Sequence, residues 1–312
     1  MPMTNALAIH CHTIRFLGDS RSRLVTLVLR LLLVTLVASQ GIGQTLAAAN
    51  DYPLQVAIEK TEGRDQFVAY NRGAAPVFIS ASLSEPINTA SDRRWPLQVL
   101  VPPKQSRVLA TLFAADPRSS YRFEYHYVFS IGDPSAVHDP HALYRLPFAD
   151  GLAFPAAQAH GGKITTHTAL NSTYAVDITM PIGTPVVAAR PGTVIEVEQS
   201  YREGRFDPSL AEKANRVVIL HADGTMAEYV HLSFGRVFVT PGQTVSAGHR
   251  LGESGNTGYS SEPHLHFAVV RNSALPDGRG QHISVPFLFY VGNPPETFVP
   301  HQGQRLTAHY LR

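Results

Sequence analysis

Gly255-Asn256-Thr257-Gly258, followed shortly by Ser261-Glu262-Pro263-His264-Leu265-His266-Phe267-Ala268-Val269-Val270, is the stretch that decides the fold. A glycine-rich turn opens into an apolar, β-prone run that carries two histidines one residue apart. On a strand, side chains at i and i+2 share a face at roughly 6 to 7 Å, so both imidazoles can serve one site. By itself the spacing equally fits two polar residues on the wet face of a half-buried strand. The neighbouring blocks give it weight.

Working outward, the chain from 151 onward reads as strands and turns, with a short helix expected near Ser209–Ala214. Two stretches, Pro181-Ile182-Gly183-Thr184-Pro185-Val186 and Pro241-Gly242-Gln243-Thr244-Val245, are similar glycine-punctuated hairpins. They predict a sheet built from two related halves. Lipoyl and biotinyl carrier domains share that cadence, but a swinging-arm carrier needs a lysine at its hairpin tip. No Met-Lys-Met or Asp-Lys-Ala stands between these repeats.

The chain can bury a sizeable core: it has 312 residues, 44% hydrophobic and 16% charged, room for two domains. Its first 49 residues hold Arg15, Arg21 and Arg23, then an apolar stretch from Leu24 to Ala38, then Ala47-Ala48-Ala49. This order predicts a cleaved export signal rather than an anchor, because the strictly apolar run Leu31 to Ala38 falls far short of about 20 residues. The single cysteine, Cys11, precedes that run, so the mature chain is expected to have neither disulfides nor thiolate ligands. Without residues 1–49 the formal charge is near −1, and nothing favours nucleic acid.

Residues 50–150 carry short apolar runs separated by turn-forming Asn-Arg-Gly and Pro-Pro-Lys, which predicts a small antiparallel β-sandwich. Tyr121, Phe123, Tyr125 and Tyr127 alternate with polar neighbours. They read as the buried face of one strand, with an aromatic platform for a glycan or partner as the alternative. His138 and His141 in the connector read as solvated loop residues.

A catalytic zinc wants about three protein ligands and an open position. With no usable cysteine and no His-Glu-x-x-His helix, histidines and carboxylates are the candidates. Asp177 sits in the apolar run Tyr174-Ala175-Val176-Asp177-Ile178, where an unpaired carboxylate is costly to bury. A metal would offset that cost.

These blocks, together with Glu228-Tyr229-Val230-His231-Leu232, stand in an order that resembles the lysostaphin and LytM type of zinc metallo-endopeptidase over about 120 residues, from near Gly161 to Arg271. The resemblance implies an all-β protein in which a lysostaphin-like (duplicated hybrid motif) β-sheet peptidase domain follows the sandwich. The expected division is 1–49 signal peptide, 50–150 β-sandwich, 151–300 zinc peptidase domain and 301–312 tail. It implies Zn2+ held by Asp177 and His266, with His264 as the base that takes the water proton. His231 would stabilise the oxyanion or protonate the leaving amine.

The usual first ligand, four residues before the aspartate, is replaced here by Thr173. His167, ten residues before Asp177, resembles a branch with a longer loop and is the expected third ligand, with His160 as the fallback. Tyr229 and Asn256 are candidates to line the groove or to support its ligands, with a structural role as the alternative for each. The implied activity is endopeptidase cleavage, DD-endopeptidase-like, of stem or cross-link peptides of bacterial peptidoglycan in a periplasm or at a cell surface. The other reading is a ligand-deficient wall-binding or hydrolase-activating protein.

Overall fold

The computed structural model describes residues 12–18, 52–61, 63–163 and 165–310. Regular structure among them is almost entirely strand. The expected helix near 209–214 is instead a single 3-10 turn, Pro208–Leu210, capped by the Asp207 side chain accepting from the Ser209 amide. Six residues close too few backbone bonds to offset helix nucleation.

Residues 52–131 form two facing antiparallel sheets. One is built on Tyr121–Ile131, Val77–Ile87 and Leu97–Val101, with His12–Gly18 as a further edge strand. The other orders Leu54–Thr61, Arg64–Asn71, Gln105–Ala114 and Thr89–Ser91. Tyr121, Phe123, Tyr125 and Tyr127 all point into the core between them, where the Tyr125 ring meets Phe67 edge-on at 4.8 Å. Their burial removes the aromatic-platform reading. Residues 12–18 fall within the expected export signal; the rest of that segment lies outside the described residues.

The second unit is organised by one large antiparallel sheet. Its central order is Gly192–Glu198, Arg216–Leu220, Met226–Val230, His264–Ala274, Val176–Thr179 and Ala153–Gln158. Arg305–Thr307, in the segment expected as a tail, pairs with Ala153–Gln158 as an edge strand and buries Leu306. Ala142, Tyr144, Leu146 and Phe148 also join this core, which therefore begins ahead of residue 151.

Strand alternation assigns the two faces of this sheet different tasks. Val176, Ile178, Leu265, Phe267, Val217 and Tyr229 point to one face, against a small sheet of Pro185–Val187, Arg250–Ser254 and Leu232–Val237. Ala175, Val218, Met226, Ala268 and Val270 point to the other and pack with the sandwich core. His264 and His266 share the parity of Ala268, so they lie on the sandwich-covered face, beyond the stretch that the sandwich covers. A polar seam joins the units: Asn272 Nδ2 donates to Ser130 Oγ and the Gly132 carbonyl, and His282 Nε2 lies 2.7 Å from the Ile131 carbonyl.

Candidate metal centre

Asp177 and His266 are directly opposite one another across the antiparallel pair of Val176–Thr179 and His264–Ala274. Thr179 faces His264 in the same register. Direct cross-strand partners have Cβ atoms about 4.5–5.5 Å apart, so the backbone pairing alone delivers the carboxylate to the imidazole. His266 Nδ1 lies 2.9 Å from Asp177 Oδ1.

His167 arrives from a loop rather than a strand, and its Nε2 lies 3.1 Å from Asp177 Oδ2. Both side chains are 6% exposed, and that of His266 is 10% exposed. The donor atoms of His167, Asp177 and His266 all lie within 4.8 Å of one another. Two imidazoles and one carboxylate fit a divalent cation of the zinc type. The buried carboxylate, met here by nitrogens on both oxygens, is the group whose desolvation such a cation offsets.

The protonation states suit ligation. Burial alone would raise the Asp177 pKa, but hydrogen bonds from His167 and His266 outweigh it and hold the carboxyl well below its usual range. Burial lowers the His266 pKa against the pull of Asp177, leaving a neutral imidazole. Metal binding needs an ionised carboxylate and neutral imidazoles, and the directions for Asp177 and His266 favour both.

His231 and His264 stand beside the trio with ring centroids 4.5 Å apart. His231 has φ 67, a left-handed conformation that costs a non-glycine residue about 1–3 kcal/mol and concentrates at functional sites. Its Nδ1 lies 2.6 Å from the Thr257 carbonyl, and burial, reinforced by His264 and His266, pushes its pKa down to about 3. His264 Nδ1 lies 2.8 Å from the Glu262 carbonyl and its Nε2 3.8 Å from Asp177 Oδ1. A carbonyl accepts only, so each Nδ1 donates to it, and in the neutral ring Nε2 is then the nitrogen with the lone pair.

Around these groups the pocket is lined by Gln158, Thr166, Asn171 and Ser172, and by the aromatic residues Phe206 and Tyr259. Phe206 is 67% exposed and lies 4.7 Å from the Tyr259 ring. It is presented by the short strand Gly204–Arg205, which pairs in parallel with Gly258–Tyr259. A Cβ on Gly204 would fall 1.3 Å from the Asn256 carbonyl oxygen, so only glycine permits this approach.

The other sequence candidates lie elsewhere. Thr173 Oγ1 donates to the Ala169 carbonyl and closes a turn. His160 is exposed, with Nδ1 3.0 Å from the Thr173 carbonyl and its ring against Tyr174, outside the trio. Tyr229 is fully buried on the opposite face, its hydroxyl accepting from the Ala189 amide, and belongs to the core rather than the groove. Asn256 Oδ1 accepts from Ser260 Oγ. Thr257, whose carbonyl orients His231, sits in the glycine turn but carries no mark of that role in the sequence; Gln158 had no sequence signal either.

Residues 171–277 match the model of peptidase family M23. The match begins after His167, so that residue rests on geometry. A peptidoglycan DD-endopeptidase of Vibrio cholerae, ShyA, is 40% identical over 94 residues, which cover 30% of this chain and 19% of that protein. Lysostaphin of Staphylococcus staphylolyticus is 41% identical over 101 residues, 32% of this chain and 19% of that one. The chain thus spans about a fifth of the length of these curated relatives. Among solved structures, the catalytic domain of lysostaphin from Staphylococcus simulans aligns at 31% identity over 41% of this chain and 85% of that chain, with a TM-score of 0.29.

Proposed function

From a chain that carries a peptidase family M23 domain of the lysostaphin and LytM type, we propose a zinc-dependent endopeptidase that hydrolyses cross-link or stem peptides of bacterial peptidoglycan. The observation that carries this reading is the buried convergence of His167, Asp177 and His266 beside two further histidines. In it these three residues hold Zn2+. When bound, zinc polarises a scissile carbonyl and lowers the pKa of water.

The remaining chemistry belongs to the chain. Glu262 and Thr257 fix the tautomers of His264 and His231, so that both Nε2 atoms accept. His264 takes the proton of the attacking water. His231 would stabilise the oxyanion or hand a proton to the leaving amine, in either case once its Nε2 has gained a proton, such as the one that His264 takes from the water. Thr173 does not argue for a ligand-deficient binder, because His167 stands in the place a lost ligand would leave empty.

The expected address is a periplasm or cell surface, on the strength of the leader-like residues 1–49. No helix among the described residues is long and apolar enough to cross a membrane. Digestion of purified sacculi tests the activity: the parent chain releases peptides with new termini and Asp177→Ala releases none. Equal release by both would overturn the proposal.

A further inference from the structure

His167 is the one member of the trio that no strand holds. The described residues of the loop around it, between Gly161 and Leu170, are mostly exposed. Ordering such a segment costs about 1–2 kcal/mol per residue, and a ligand on a loose loop binds its ion weakly. Something must bring it to Asp177 in advance.

We propose that two glutamines, Gln158 and Gln302, are positioning residues for the metal centre, an inference that rests on the metal reading above. Gln158 ends the strand Ala153–Gln158 and pairs with Asp177 across a register shift. Its Nε2 donates to Asp177 Oδ2 at 2.7 Å, while its Oε1 accepts from the Thr166 amide at 2.7 Å. One side chain therefore joins the aspartate to the residue preceding His167. The amide orientation is fixed by its partners, since a carboxylate only accepts and a backbone N–H only donates.

Gln302 does the corresponding task at the start of the loop, from the C-terminal segment. Its Oε1 accepts from the Lys163 amide at 2.9 Å, and its Nε2 donates to the Ala157 carbonyl at 3.0 Å. The loop is thus fastened at 163 by Gln302 and at 166 by Gln158. Gln158 also holds one carboxylate oxygen and so fixes the rotation of Asp177. A glutamate in its place would lose the donor and set a second carboxylate against Asp177. Partners that orient metal ligands in this way are typically worth 10- to 100-fold in metal affinity.

The test uses the full chain and the variants Gln158→Met, Gln158→Glu and Gln302→Met, the methionines preserving side-chain length without the amide. Zinc affinity is measured by competition with a chromophoric chelator, and the visible d–d bands of the cobalt-loaded proteins report ligand geometry. The expected result is zinc binding about 10- to 100-fold weaker in Gln158→Met, with a changed cobalt spectrum. Gln158→Glu should lose at least as much, and Gln302→Met should lose a few-fold with the parent's spectrum. Parent-like affinity and spectrum in Gln158→Met would overturn the inference while leaving the metal reading intact. If that variant does not fold, unchanged affinity in Gln302→Met overturns it instead. A parent chain that binds neither zinc nor cobalt would sink both.

Discussion

Two eleven-residue strands, Tyr121–Ile131 in the sandwich and His264–Ala274 in the large sheet, were built to opposite specifications. In the first, aromatic residues face the core while Arg122, Glu124 and His126 fall at exposed or half-buried positions on the other face. The second is covered on both faces over much of its length: Leu265, Phe267 and Val269 enter one core, and Ala268 and Val270 meet the sandwich. On the first strand His126 Nε2 lies 3.1 Å from the hydroxyl of Ser84, a neutral and half-exposed partner. On the second, buried His266 meets the buried carboxylate of Asp177. Polar groups on a doubly covered strand must be paired, and at that point chemistry becomes possible.

The largest effect that can break this contrast comes from the histidines. Substituting alanine at His264, which supplies no ligand in this account, should reduce the rate of peptide release by roughly 10²- to 10⁴-fold while zinc content stays at the parent's level. His231→Ala should behave likewise. In the sandwich, His126→Ala should leave both rate and zinc content untouched. Comparable losses at His126 would erase the distinction between the two strands.

Core truncation sharpens the same contrast from the other side. Phe123→Ala removes a side chain buried to 1% exposure from the sandwich strand and is expected to cost about 3–5 kcal/mol, read by urea denaturation. The protein that remains folded should still bind one zinc per chain. Loss of zinc in step with stability would mean that the two units do not have separable roles.

A smaller effect concerns His221, which lies in the second core with Nδ1 2.8 Å from the Pro191 carbonyl. Burial drives its pKa down to about 4, against the raising effect of that carbonyl. In the unfolded chain the group takes up a proton near pH 6.5, well before the folded state does. Its neutral form therefore lends full stability above about pH 6.5, and that stability drains away as pH falls toward 4, by roughly 3 kcal/mol in all. Urea midpoints at pH 7.5 and 4.5 should fall less in His221→Asn than in the parent. An identical fall in both would remove His221 from the acid response.

Much of the fold was legible because alternation is written into residues such as Tyr121, Phe123, Tyr125 and Tyr127, and a period of two belongs to a strand with one buried face. The His264 and His266 pair was legible for the same reason. His167 was legible only through its setting, since ten residues of loop say nothing about distance. Tyr229 shows the limit of proximity in sequence: two positions from His231, it points to the opposite face and into the core. Gln158, Gln302 and Thr257 could not be singled out, because amides and carbonyls act here through partners that only the folded chain brings near. The expected short helix failed on a local count of hydrogen bonds.

Metal analysis of the purified chain beside His167→Ala tests the central claim most directly. The account predicts close to one zinc per parent chain and little or none in the variant, with both proteins folded by circular dichroism. Full zinc in His167→Ala, or none in the parent, would contradict it.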